Sequence, residues 1–207
     1  MPVSRAEVLA LAAQRHGDPA LALQVATKFL AETDIAPETA SLAHWVRGLA
    51  LHELDRLDDA VTEFRAAIEL AITHHVADAE ARARANLAIS LLQLGAVGAA
   101  RHELAQARAV APPSALGPVL VLTALFEQRT GHHDDALRLY AQALPHLVSI
   151  SDNASLGVLH LNRGVLYAYR GQFGAAQRDG DQAERIAAAE DMLILGAMAA
   201  HNLGFAE

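Results

Sequence analysis

The sequence contains no cysteine. That excludes disulfides, thiolate metal sites and a cysteine nucleophile within this chain. Aromatic residues make up only 4% of its 207 residues, so the 53% apolar content is carried mainly by Ala, Leu and Val. Small aliphatic residues suit close helix–helix packing, and Ala and Leu are among the strongest helix formers. No apolar run reaches the ~18 residues that a membrane-spanning helix needs. The opening Met1-Pro2-Val3-Ser4-Arg5-Ala6-Glu7 lacks the apolar centre of a signal peptide. No membrane partner is expected, and a cytoplasmic location is the default. Positive charge is also short: Lys and Arg number 16 against 24 Asp and Glu, a formal net charge of −8. A sequence-blind nucleic-acid binder carries a concentrated basic patch, so nucleic acid is not an expected partner. At 19%, charged residues are too few for a disordered chain.

What the chain does contain is a repeat. From Gly48 the offsets +12, +16 and +19 give Ala60, Phe64 and Ala67. The same offsets give Ala100, Leu104 and Ala107 from Ala88, and Ala136, Tyr140 and Ala143 from Ala124. From Gly164 they give Ala176, Gly180 and Ala183, and from Ala10 they give Ala22, Ala26 and Phe29. At +7 stand Gly17, Asp55, Gly95, Gly131 and Gly171. This order of small, Gly, small, large, Ala resembles the tetratricopeptide repeat family. The anchors Ala10, Gly48, Ala88, Ala124, Gly164 and Gly204 are spaced 38, 40, 36, 40 and 40 residues apart. That is longer than the standard ~34, as in the family's extended variants. The resemblance implies an all-α fold, a right-handed α-α superhelical solenoid of about 5.5 hairpins. Each hairpin buries its apolar face only against its neighbours. A single solenoid over 1–207 is expected, with repeats at approximately 4–36, 37–75, 76–112, 113–152 and 153–190 and a half repeat at 191–207.

The punctuation places helices at 4–15, 19–32, 37–54, 57–74, 76–94, 97–110, 115–129, 133–149, 153–170, 173–189 and 191–206. Pro19 and Pro37 suit a first turn, where a missing N–H is no loss. Pro112-Pro113-Ser114 reads as a break with Ser114 as N-cap. Pro145 is expected to kink or end its helix near Leu144. Gly180 stands where a large residue belongs, so its hairpin is expected to pack less well. Ala200-His201-Asn202-Leu203-Gly204-Phe205 restates the first-helix wording of Leu159-His160-Leu161-Asn162-Arg163-Gly164 without a second helix. That reads as the N-terminal part of a longer protein, with an uncapped half repeat through which copies can self-associate. The stretches Leu161 to Gly171 and His201 to Phe205 resemble the N-terminal solenoids of actinobacterial proteins that end in a caspase-like CHAT domain. That resemblance implies a sensing or autoregulatory arm for a peptidase-like domain, none of whose catalytic residues lies here.

The eleven His do not form a metal site by spacing. His74-His75 and His132-His133 are adjacent pairs that diverge on a helix, and no H-E-x-x-H occurs. There is no G-x-S-x-G elbow, and the Gly pairs at 95/98 and 171/174 follow helices instead of strands. No cofactor, metal or enzymatic activity is expected. Asp55-Arg56-Leu57-Asp58-Asp59 reads as a solvated turn with acids at a helix N-terminus. One constellation points to binding. The resemblance implies that first helices line a concave groove, with positions 2, 5, 6, 9, 12 and 13 facing it when the anchor is position 8. Position 6 is Asn86, Asn162 and Asn202, though Val46 and Leu122 interrupt the ladder. In peptide-binding members an Asn there hydrogen-bonds the ligand backbone, and an amide offers both donors and an acceptor. Around it stand Arg82, Gln93, Arg129 and Tyr169, with the two Arg suited to a carboxylate. The function expected is therefore a non-catalytic module binding a protein or peptide, the sensing or scaffold arm of a multidomain signalling or CHAT-type protein. The alternative is the ligand-sensing solenoid of a transcriptional regulator or signalling ATPase.

Overall fold

A computed structural model describes residues 8, 18–31, 35–190, 192 and 195–198. Its elements are α1 (Pro19–Leu30), α2 (Pro37–Glu53), α3 (Leu57–Thr73), α4 (Ala77–Gln93), α5 (Val97–Val110), α6 (Pro113–Arg129), α7 (His133–Ile150), α8 (Asn153–Tyr169) and α9 (Phe173–Ala189). The fold is all-α, and among the described residues there is no strand. Helix ends fall within two residues of those expected from sequence. The expected helices at 4–15 and 191–206, and with them Asn202, lie almost wholly outside the described residues. Among the described residues no helix is long and apolar enough to cross a membrane.

Local chemistry explains the boundaries. Pro19 and Pro37 occupy first turns. Asp18 caps α1 by accepting from the Leu21 N–H (2.9 Å), and Asp152 caps α8 by accepting from the Ser155 N–H (3.0 Å). Among the described residues, the four turns within hairpins use one device. A residue of positive φ follows the helix: Asp55 (58°), Gly95 (78°), Gly131 (87°) or Gly171 (70°). The next residue then donates its N–H back to the last turn: Arg56 to Leu51, Ala96 to Leu91, His132 to Glu127 and Gln172 to Tyr167, at 2.8–2.9 Å. These backbone bonds satisfy carbonyls that the helix ends would leave bare. Glycine reaches positive φ freely, and Asp is one of the few other residues that tolerates it.

The chain divides into two compact units, Met1–Ala115 and Leu116–Glu207. In the first, α2 pairs with α3 and α4 with α5, while α1 packs on α2, α3 on α4 and α2 on α4. Its core holds Leu42, Val46, Phe64, Ala67, Ala85, Leu87, Ala88, Leu104 and Ala107, all buried. In the second unit, Leu120, Val121 and Ala124 of α6, Ala136, Tyr140, Ala143 and Leu147 of α7, and Leu156, Leu159 and Leu166 of α8 form one cluster. There α9 packs on α8, and Met192 and Leu195 continue the core over Leu161, Ala183 and Ala187.

Three local expectations are corrected. Helix α7 does not end near Leu144 but runs through Pro145 to Ile150. Pro145 and Ala141 are exposed, so water can take the carbonyl that proline leaves without a partner, while buried Ala143 and Leu147 anchor the opposite face. Ser114 is not a cap. It lies inside α6, and its hydroxyl donates to Asp78 Oδ1 (2.8 Å). Gly180 is no packing defect. A Cβ placed on Gly164 would lie 3.3 Å from the Ala176 carbonyl oxygen and 3.7 Å from Gly180 N. The two glycines let the backbones of α8 and α9 approach closely where other hairpins insert a ring or a leucine.

Candidate functional site

The groove-facing residues expected from sequence fall on three first helices. In the first unit, Arg82, Asn86 and Gln93 share α4. The Asn86 amide donates to the Arg82 carbonyl four residues back (2.9 Å). Arg82 is already engaged, its Nε on Asp78 (3.0 Å) and its Nη2 on the Ser114 carbonyl (3.0 Å). Its guanidinium therefore ties α4 to Ser114 within the first unit, which absorbs much of the charge expected for a ligand carboxylate. Gln93 is exposed at the end of α4. In the second unit, Arg129 is exposed at the end of α6, and Tyr169, 80% exposed, closes α8. The Asn162 amide on α8 donates to the Val158 carbonyl (2.9 Å), as Asn86 does on α4. Around these polar groups the helices present partly buried Leu122, Leu125 and Val165.

A second set of residues, not anticipated from sequence, sits between the two helices of each hairpin. Relative to the anchor, positions −4 and −1 of the first helix meet position +15 of the second. In α2–α3, Glu63 receives His44 Nδ1–H (2.8 Å) and Arg47. In α8–α9, Asp179 receives His160 Nδ1–H (2.8 Å) and both Nε (2.7 Å) and Nη2 (2.8 Å) of Arg163. In α4–α5, Arg84 bridges Glu80 and Glu103, each at 2.8 Å. The α6–α7 hairpin carries Leu120, Thr123 and Leu139 at the same positions. The histidine nitrogen facing each carboxylate must carry the proton, because a carboxylate only accepts. The signal was present in the sequence, but it emerges only when the anchors are aligned with an acid at +15.

Burial by itself would raise the carboxyl groups of Glu63 and Asp179. For Glu63 the hydrogen bonds from His44 and Arg47 outweigh it, and for Asp179 those from Arg163 and His160 do so; both are held below the usual carboxylate range. A group lowered in the folded state stabilises the fold above its unfolded value and loses that contribution as pH falls through its folded value. Unfolded Glu and Asp titrate near ~4, so the clusters contribute in full above about pH 5 and fade below it. Melting curves should therefore separate wild type from Glu63→Gln at pH 7, and the gap should narrow as pH is lowered towards 3. A gap that persists unchanged at pH 3 would contradict this assignment.

Grooves open on the second-helix side of the hairpins. One, of about 300 Å³, lies among α3, α4 and α5, with Ile68 and Ile72 opposite Arg84. Another, of about 480 Å³, lies among α7, α8 and α9, with Leu144 and Val148 opposite His160. A third, of about 290 Å³, lies among α1, α2 and α3, beside Arg47 and Glu63. Among the described residues no group of three or more His, Asp or Glu converges to hold a metal ion.

No protein-family model matches the sequence, and no curated protein does. Solved structures do share its fold. The chain is similar to BtubC from P. vanneervenii, at 20% identity, over 90% of this chain and 80% of that one, with a TM-score of 0.59. It is similar to a Rap protein solved in complex with Competence and Sporulation Factor, at 12% identity, over 93% of this chain and 59% of that one, with a TM-score of 0.72. It is also similar to NprR solved with its cognate peptide NprX, at 16% identity, over 95% of this chain and 60% of that one, with a TM-score of 0.56. At such identities the likeness is one of fold, a tetratricopeptide-like helical repeat. The chain spans about three-fifths of the Rap and NprR chains.

Proposed function

We propose that this chain is a non-catalytic module that binds a peptide or protein segment on the face of its first helices. The observation that carries the reading is the matched pair Asn86 and Asn162. Both stand at position 6 of their hairpins, and both direct Nδ2 to the carbonyl four residues back at 2.9 Å. One N–H of each amide is thereby held, and among the described residues the amide oxygen has no partner, so it is preoriented to accept from a ligand N–H. The apolar surroundings and the exposed Tyr169 suit the side chains of a bound segment. Rap and NprR, which share the fold, were both solved with a bound factor or peptide. The finer reading, a sensing arm of a CHAT-type peptidase-like protein, rests on the resemblance of the Leu161 to Gly171 stretch. The alternative, a ligand-sensing arm of a regulator, is favoured by the likeness to the quorum sensor NprR from B. thuringiensis.

The test starts from a phage-displayed peptide library selected on the immobilised chain. Calorimetry then compares the best peptide on wild type, Asn86→Ala and Asn162→Ala. Losing a backbone hydrogen bond of about 1–1.5 kcal/mol should weaken binding about tenfold in the variant whose unit holds the peptide, with helicity unchanged. Equal affinity in all three proteins sinks the proposal.

A further inference from the structure

The groove among α7, α8 and α9 takes Leu156 and His160 from α8, a different face of that helix from Asn162, and is built differently. Its walls are aliphatic: Leu144 and Val148 of α7, Leu156 of α8 and Ile186 of α9. Val148, 60% exposed, extends this aliphatic surface into solvent. Its volume of about 480 Å³ falls within the ~300–1,000 Å³ of formed binding clefts. Its rim carries two arginines, Arg178 and Arg185, against one carboxylate, Asp181. Arg178 makes no ion pair with a described residue, and Arg185 Nε is bound to the Asp181 carbonyl (3.2 Å) instead of a carboxylate. This cationic rim stands on a chain of formal charge −8.

We propose that this groove receives an acidic amphipathic helix from a partner protein, with aliphatic side chains on Val148, Leu144 and Ile186 and carboxylates on Arg178 and Arg185. The helical form follows from hydrogen bonding. The walls are three α-helices whose backbone groups, apart from the Ala141 carbonyl that Pro145 leaves open, are paired within the helices, so an extended segment would find almost no backbone partners there. A helix arrives with its own backbone satisfied. The α9 lining runs from Arg178 to Ile186, about two turns or ~12 Å, which matches aliphatic anchors at i, i+3/i+4 and i+7. The charge of the occupant follows from the rim. The equivalent groove among α3, α4 and α5 has the same aliphatic pair, Ile68 and Ile72, but it balances Arg65 and Arg84 with Glu69 and Glu103. Of the three grooves described, the one in the second unit presents an excess of positive charge.

Three fluorescein-labelled pools of 14-residue amphipathic helices distinguish the possibilities. They share a Leu/Ile face and differ in a polar face of Glu, Gln or Lys. Anisotropy with the full chain should show the Glu pool binding roughly tenfold more tightly than the Lys pool, with the preference shrinking at high salt. Val148→Asp and Arg178→Glu, both at exposed positions, should each weaken the Glu pool roughly fivefold or more at unchanged circular dichroism. Ile72→Asp and Asn162→Ala should leave that affinity as it was. The proposal is overturned by absence of binding, by equal binding of all three pools, or by loss of binding in Asn162→Ala with none in Val148→Asp. The last result would move the helix to the first-helix face.

Discussion

Asp179→Ala is expected to destabilise the second unit by about 3–5 kcal/mol. Asp179 is buried on α9 and accepts three hydrogen bonds, two from Arg163 and one from His160. Arg163 also lies over the Tyr167 ring, 6.0 Å from its centre. Removing the carboxylate leaves a mostly buried guanidinium with its counter-charge gone, and that loss is larger than the net worth of the pair. The molecule supplies its own control. At the same three positions the α6–α7 hairpin uses Leu120, Thr123 and Leu139, and the hydroxyl of Thr123 is satisfied by the Val119 carbonyl (2.7 Å). Transplanting that solution as His160→Leu, Arg163→Thr and Asp179→Leu should recover most of the stability lost by Asp179→Ala. Chemical denaturation of wild type, single and triple variants measures both effects. If the triple variant is as unstable as the single one, the cluster does more than join two helices.

In the first unit the largest loss is expected at Phe64. Phe64→Ala removes a fully buried ring and should cost about 3–5 kcal/mol, lowering Tm by on the order of 10 °C. The ring lies against Gly48: a Cβ there would come within 2.7 Å of Cε1 and 2.8 Å of Cδ1. Gly48→Ala alone should therefore destabilise, because a ring packed on all sides cannot step aside. In the Phe64→Ala background the same methyl enters the vacated space, and Gly48→Ala should be neutral or stabilising. A thermal-melt double-mutant cycle reads this as strong non-additivity. Additive losses would mean that the ring and the glycine do not share that space.

Helix positions, hairpin turns and core residues were legible in the sequence. Each depends on chemistry that repeats at a constant offset: helix-forming Ala and Leu, a positive-φ residue at +7, a large apolar residue at +16. A local rule suffices where one position sees the same neighbours in each repeat. It misled at Pro145, Ser114 and Gly180, where the outcome depends on what lies across the helix. At Pro145 that is water, at Ser114 it is Asp78, and at Gly180 it is the backbone around Gly164.

The candidate site divides in the same way. The register of Asn86 and Asn162 follows from counting along first helices, because residues at one offset share a face. The state of the neighbouring groups does not follow. Arg82 is a counter-charge in sequence and a tie between Asp78 and Ser114 in the fold. Glu63 and Asp179 are two of the 24 acids in the sequence, and they become buried centres of charge only when a second helix brings +15 against −4 and −1. The aliphatic groove beside Arg178 is likewise made of residues from three helices. Sequence alone determined the repeat, its helices and the face that carries the amides, since these are periodic along one chain. Which charges are paired, and where apolar surface stays open, was decided by tertiary packing, because each depends on the distance between side chains that only neighbouring helices bring together.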